Sequence, residues 1–68
     1  MIINNLKDIR HEHKMNQTEF AEHLGLPQQQ YNRYEKQRSQ PDLERAILIS
    51  EKLQRTVNDI FFVENTTG

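Results

Sequence analysis

The residues from 27 to 36 read Pro-Gln-Gln-Gln-Tyr-Asn-Arg-Tyr-Glu-Lys, and their types sort by position. On a helix advancing about 100° per residue from Gln28, the side chains of Gln28, Asn32, Lys36, Gln29 and Arg33 fall within an arc of about 140°. Tyr34 and Tyr31 fall at about 240° and about 300°, on the opposite side. One face is suited to packing and the other to hydrogen bonding. A Gln or Asn amide places a donor and an acceptor side by side, the complement of adenine N6 and N7. A guanidinium presents paired donors, the complement of guanine O6 and N7. Gln28, Gln29, Asn32 and Arg33 are therefore candidates for contact with base edges. Most amphipathic helices carry a solvated polar face with no such task, so the surrounding chain has to supply further support.

Charge is part of that support. The whole chain has a net charge of −1, which by itself argues against a nucleic-acid partner. Its distribution does not. Residues 1–27 sum to −1 and residues 39–68 to −2, whereas residues 28–38 carry Arg33, Lys36 and Arg38 against Glu35, for +2. The net-positive segment coincides with the candidate helix and its exit. A small basic patch on a slightly acidic body limits salt-driven, non-specific binding while keeping a local anchor.

A chain of 68 residues is one small domain. It contains no cysteine, which excludes disulfides and thiolate metal sites. No apolar run approaches the roughly 20 residues of a membrane span, and the opening Met-Ile-Ile-Asn-Asn lacks the regions of a signal peptide. The expected location is the cytoplasm.

Scarce Gly and Pro, few β-branched residues and apolar residues at helical spacing predict an all-α fold of five helices with short turns. The first runs over residues 5–13, with Ile2, Leu6, Ile9 and His13 on one stripe and Arg10 at its edge. An arginine beside a buried stripe needs a carboxylate partner, and Glu35, projecting beside Tyr31, is the candidate for a structural ion pair. The second helix is capped by Asn16, with Glu19 at the capping-box position, and buries Phe20, Ala21 and Leu24. Gly25 ends it with a left-handed residue, Leu26 plugs the turn, and Pro27 starts the third helix. Asp42 caps the fourth, with Leu43, Ala46, Ile47, Ser50 and Leu53 inward and Ile49 extending that face. Thr56 caps the fifth, with Asp59 at N3 and Val57, Ile60 and Phe61 inward. Phe62 and Val63 then leave the core side, either as a contact surface for a second copy or packed back on the first helix. Residues 1–63 form the expected domain, and 64–68 a polar, frayed tail.

Residues 17–34 combine Gln17, Ala21, Gly25-Leu26, Tyr31 and Tyr34 at fixed spacing. Ala21 must be small where two helices cross, Gly25 must turn left-handed, and 31 and 34 must seat the second helix. This is the sequence form of a helix-turn-helix. With Leu6-x-x-Ile9-Arg10, Met15 to Ala21, Tyr34-Glu35, Pro41, Leu43 and Val57-x-x-Ile60-Phe61, the chain resembles the Cro and lambdoid phage repressor, or Xre, type of helix-turn-helix protein from about Leu6 to Phe61.

The resemblance implies a five-helix lambda-repressor-like domain. Its helix-turn-helix is formed by the second and third helices, and the third enters the major groove of double-stranded DNA, commonly as a homodimer on half-sites one helical turn apart. It places Gln28, Gln29 and Arg33 on base edges with Asn32 nearby, and Asn16, Gln17, Lys36, Arg38 and Ser39 at phosphates. The family pattern also contains the Arg10–Glu35 pair. The implied function is a transcriptional regulator, most simply a repressor, located with the nucleoid when bound. The chain departs from the family at Lys14, Gln37 and Gln54, where glycine is usual. Each must then accept backbone strain of about 1 kcal/mol or use a different turn. Pro27 replaces a side-chain cap, and the hydroxyls of Tyr31 and Tyr34 each need water or a partner.

The other classes have thinner support. His11-Glu12-His13 invites a metal site, yet residues two apart on a helix point about 200° away from each other, so no metal is expected. No base-and-orienter pairing accompanies Ser39 or Ser50, no cofactor motif is present, and no enzyme is expected. An antitoxin or anti-repressor, a protein-interaction module on the same fold, is the alternative. It would use the Phe62–Val63 end or the Gln-rich face.

Overall fold

In the computed structural model, which describes residues 1–64, Asn4 closes one element and opens the next. Its Oδ1 accepts the Leu6 amide at 3.0 Å, so a strand ends and a helix begins within two residues. The order along the chain is β1 (Ile2–Asn4), α1 (Leu6–Glu12), α2 (Gln17–Leu24), α3 (Gln28–Glu35), α4 (Leu43–Leu53), α5 (Val57–Ile60) and β2 (Phe61–Val63). The protein is thus mostly helical, with five helices among the described residues and a small two-stranded sheet.

That sheet corrects the all-α expectation. β1 and β2 pair antiparallel, with Ile2 opposite Val63, Ile3 opposite Phe62 and Asn4 opposite Phe61. Apart from Asn4, both segments are β-branched or aromatic, the types that suit a pleated surface, but three residues are too few for a period to show. Ile2 consequently lies in β1 and not on the stripe of α1. Phe62 and Val63 leave the helical core as expected, but enter β2 and pair with the strand ahead of α1. The tail expected from residue 64 onward lies, beyond Glu64, outside the described residues.

The helix boundaries follow their caps. Asn16 and Glu19 form a reciprocal capping box at α2, Thr56 and Asp59 another at α5, and Asp42 accepts the Arg45 amide at 2.9 Å at α4. The core gathers Leu6 and Ile9 of α1, Phe20, Ala21 and Leu24 of α2, and Tyr31 and Tyr34 of α3. Ala46, Ile49 and Leu53 of α4 close it with Ile60 and Phe61. Val57, Met15 and Leu26 pack at its margin.

On α4 the expected inward face is narrower than its sequence pattern. Leu43 is 72% exposed and Ile47 is 43% exposed. The buried residues Ala46, Ile49, Ser50 and Leu53 span an arc of about 100°, and Leu43 and Ile47 lie on its shoulder. Buried Ser50 gives its hydroxyl proton to the Ile47 carbonyl at 2.7 Å.

The three turns where the resemblance implies glycine keep left-handed geometry without it. Lys14, Gln37 and Gln54 have φ of 56°, 61° and 56°. No helix among the described residues is long and apolar enough to cross a membrane.

Candidate nucleic-acid interface

Gly25 sets the angle between α2 and α3. It adopts φ 72° and ψ 31°, and the Leu26 amide behind it donates to the Ala21 carbonyl at 2.9 Å. A Cβ at this position would meet only the flexible end of Lys52, at 3.2 Å, so the backbone angle is what calls for glycine. Pro27 occupies the N-cap of α3, one residue ahead of the helix, and its carbonyl accepts the Tyr31 amide at 3.0 Å. Ala21 is buried where the helices meet, and Phe20 and Tyr31 pack edge-on at 5.5 Å between ring centres.

Beneath α3 lies a polar cluster centred on Glu35. Arg10 forks onto it, Nε to Oε2 at 2.8 Å and Nη2 to Oε1 at 3.0 Å. The ion pair inferred from the sequence is therefore present and ties α1 to α3. Its third donor, Nη1, reaches the Met15 carbonyl at 3.1 Å and holds the turn into α2. Tyr31 donates its hydroxyl to Oε2, and Gln17 donates from Nε2 to Oε1 at 3.0 Å. Burial alone would push the Glu35 carboxyl up. Hydrogen bonds from Arg10, Tyr31 and Gln17, with the charge of Arg10, outweigh burial and bring it down to about 2. Burial and the adjacent carboxylate hold the Tyr31 phenol well above its ordinary range. The hydroxyl of Tyr34 accepts from Arg45 at 3.2 Å, so both tyrosine hydroxyls have protein partners.

With Tyr31, Tyr34 and Glu35 turned inward, Gln28, Gln29, Arg33 and Lys36 are exposed on the outer face of α3. Asn32 is half-buried, and its Oδ1 is shielded from solvent with no partner among the described residues. Asn16 is exposed at the start of α2, with Oδ1 occupied by the cap. Gln17 is half-buried and engaged with Glu35. Past α3, Arg38 is exposed, while Ser39 is half-buried with its hydroxyl oxygen out of solvent. One segment from Asn16 to Arg38 thus supplies exposed amide and cationic groups over a rigid, charge-neutralised base.

Two contributors escape sequence reasoning. Thr18, exposed on α2, donates its hydroxyl to Gln28 Oε1 at 2.9 Å. Gln37, at the left-handed position after α3, is bound through its amide to Asn4, and Gln40 bridges to both. Neither contact is marked in the sequence: Gln54 is also a glutamine at a left-handed site, and its side chain makes no hydrogen bond among the described residues.

A family model described as helix-turn-helix, HTH_3, matches residues 6–60. No curated protein matches the chain. Among solved structures, the fold is similar to the crystal structure of a Bacteroides fragilis protein provisionally named as DNA-binding. The TM-score is 0.76 and the identity 22%, over 91% of this chain and 100% of that one. At that identity the likeness concerns the fold; the family match concerns the sequence, and it spans every helix and the Gly25 turn. This chain belongs to the helix-turn-helix family of the Xre type.

Proposed function

We propose that this protein is a sequence-specific DNA-binding transcriptional regulator, a repressor that occupies a palindromic operator as a homodimer with α3 in the major groove. The observation that carries this reading is the division of α3. Tyr31, Tyr34 and Glu35 are buried, whereas Gln28, Gln29, Arg33 and Lys36 are exposed together on the other side. Gln28, Gln29 and Arg33 read base edges, and Asn32 lies beside them. Asn16, Lys36 and Arg38 hold phosphates, with Gln17 and Ser39 at the margins of that set. The DNA-binding name of the Bacteroides fragilis protein of similar fold agrees with this reading.

The homodimer rests on the other end of the molecule. Ile2, Phe62 and Val63 are 50%, 43% and 71% exposed and, with Val57, Asn58 and Phe61, line an apolar groove of about 460 Å³. A second copy seated there would bury these side chains, and Phe62 and Val63 are the proposed dimer contacts.

Selection of bound DNA from a random duplex pool tests the whole reading. The expected product is a palindromic motif whose half-sites lie about 34 Å apart, one turn of duplex. Failure to enrich any sequence, together with co-purification of a protein partner, would favour the antitoxin or anti-repressor reading instead.

A further inference from the structure

Two histidines from different helices meet over one buried aromatic ring. His13, at the C-cap of α1, and His23, in the last turn of α2, have ring centres 5.7 Å apart with their planes at 47°. The ring of buried Phe20 lies 5.4 Å from the first and 6.0 Å from the second, so two exposed imidazoles rest on one fixed apolar floor. Nδ1 of His13 lies 2.9 Å from the Ile9 carbonyl. A carbonyl only accepts, so Nδ1 carries the proton and the neutral ring presents its lone pair at Nε2. Closing the end of α1 accounts for Nδ1. It gives no task to Nε2, nor to either ring nitrogen of His23, and none of these three is in a hydrogen bond among the described residues.

We propose that His13 and His23 form a two-histidine site for a late first-row divalent cation, Zn²⁺, Ni²⁺ or Cu²⁺, which staples the end of α1 to the end of α2. Imidazole suits these ions, whereas Mg²⁺ and Ca²⁺ take oxygen ligands. An ion bonded at about 2.0–2.1 Å to one nitrogen of each ring, at a tetrahedral angle, holds the ring centres about 5 Å apart. From 5.7 Å, the two side chains close on it with an adjustment of about half an ångström. The bond from Nδ1 to the Ile9 carbonyl is the outer contact that a histidine ligand makes in metal sites. It fixes the tautomer, orients the ring and raises the basicity of Nε2. Along α1, His11 and His13 point about 200° apart and do not converge; across the turn into α2, His13 meets His23. No set of three His, Cys, Asp or Glu side chains suited to a metal occurs among the described residues, so the protein supplies two imidazoles and water completes the coordination. Neither histidine belongs to the proposed DNA-contacting set, and the inference is independent of it.

Calorimetric titration of the full chain with ZnCl₂, and thermal unfolding in its presence, test the site. The expected result is one ion per chain. The melting temperature should rise by about 10 °C once free Zn²⁺ is about a hundredfold above the dissociation constant, because the ion binds the folded pair. MgCl₂ at the same concentration leaves the melting temperature unchanged. His13→Gln and His23→Gln each remove one ligand and with it the chelate, for a loss of about 100-fold in affinity. His11→Gln binds as wild type does. Nitrogen-15 spectra of the wild-type imidazoles give a readout that needs no variant: Zn²⁺ shifts the Nε2 signal of His13, while Nδ1 keeps its proton. A wild-type melting temperature that ignores Zn²⁺, an affinity unchanged in His13→Gln or His23→Gln, or an affinity lost in His11→Gln would overturn the site and leave the DNA-binding reading untouched.

Discussion

The side-chain amide of Gln37 pairs with the main chain of Asn4 as a neighbouring strand would. Oε1 accepts the Asn4 amide at 3.0 Å, and Nε2 donates to the Asn4 carbonyl at 2.8 Å. Gln40 completes the clasp, donating to Gln37 Oε1 at 3.0 Å and accepting from Asn4 Nδ2 at 2.8 Å. The same Nδ2 donates to the Tyr34 carbonyl near the end of α3 at 2.9 Å. The loop that carries Arg38 is thereby docked on β1, whose register with β2 closes the two ends of the described chain on each other.

This clasp predicts an unusual order of stabilities at position 37. Gln37→Ala loses three partly buried hydrogen bonds, two with Asn4 and one from Gln40, while keeping the left-handed angle, at a cost of about 3 kcal/mol. Gln37→Gly loses the same bonds but relieves strain of about 1 kcal/mol. Urea denaturation is expected to rank wild type above Gly and Gly above Ala. An alanine variant as stable as wild type would show that the clasp contributes nothing.

Position 54 predicts the opposite outcome. Gln54 caps α4 at φ 56° and ψ 43°, and its side chain makes no hydrogen bond among the described residues. With strain and no compensating contact, Gln54→Gly is expected to raise stability by about 0.5–1 kcal/mol, visible as a higher melting temperature. A lower melting temperature would mean that the side chain does something the geometry does not show.

The contrast between 37 and 54 also marks how far the sequence could be read. Helices, caps and the Arg10–Glu35 pair were legible because each is a local pattern or a charge beside an apolar stripe. Gly25 was legible because one backbone angle demanded it. The sheet was not, because Ile2-Ile3 and Phe61-Phe62-Val63 are too short to carry a period and lie at opposite ends of the chain. The inward face of α4 was overestimated at Leu43 and Ile47, because periodicity gives a direction and not the width of the neighbour that covers it. Of the candidate site, the exposed set on α3 followed from the wheel. The engagement of Gln17 by Glu35, the shielding of Asn32 Oδ1 and the Thr18–Gln28 contact depend on tertiary placement, which no local pattern encodes.

Glu35 makes stability depend on pH in a defined window. Its carboxyl lies at about 2 in the fold against an ordinary value of 4.5. Because the folded value is the lower one, the unfolded chain binds the proton first as pH falls. The stabilisation is complete above about pH 4.5 and is lost progressively towards pH 2, by on the order of 3 kcal/mol. Glu35→Gln should remove this part of the pH dependence. It should also destabilise the protein at neutral pH by roughly 3–5 kcal/mol, since Arg10 loses its counter-charge. Denaturation profiles from pH 2 to 7 with equal slopes for the two proteins would rule out this assignment.

Arg33 and Lys36 separate reading from anchoring on the proposed DNA face. Both are exposed on α3, but Arg33 lies within the helix and Lys36 at its C-cap, next to the docked loop. A guanidinium forked onto guanine discriminates by roughly 1–3 kcal/mol, so Arg33→Ala should relax preference at one operator position by about tenfold or more. A lysine at a phosphate carries no base information. Lys36→Ala should weaken binding to all sequences alike and make the slope of log affinity against log salt shallower by about 0.9. Titrations of a selected operator and a scrambled duplex at several salt concentrations measure both effects. Reversed roles would place the phosphate backbone along Arg33 and require α3 to enter the groove at a different angle; equal affinity and salt slope in all three proteins would remove this face from DNA binding.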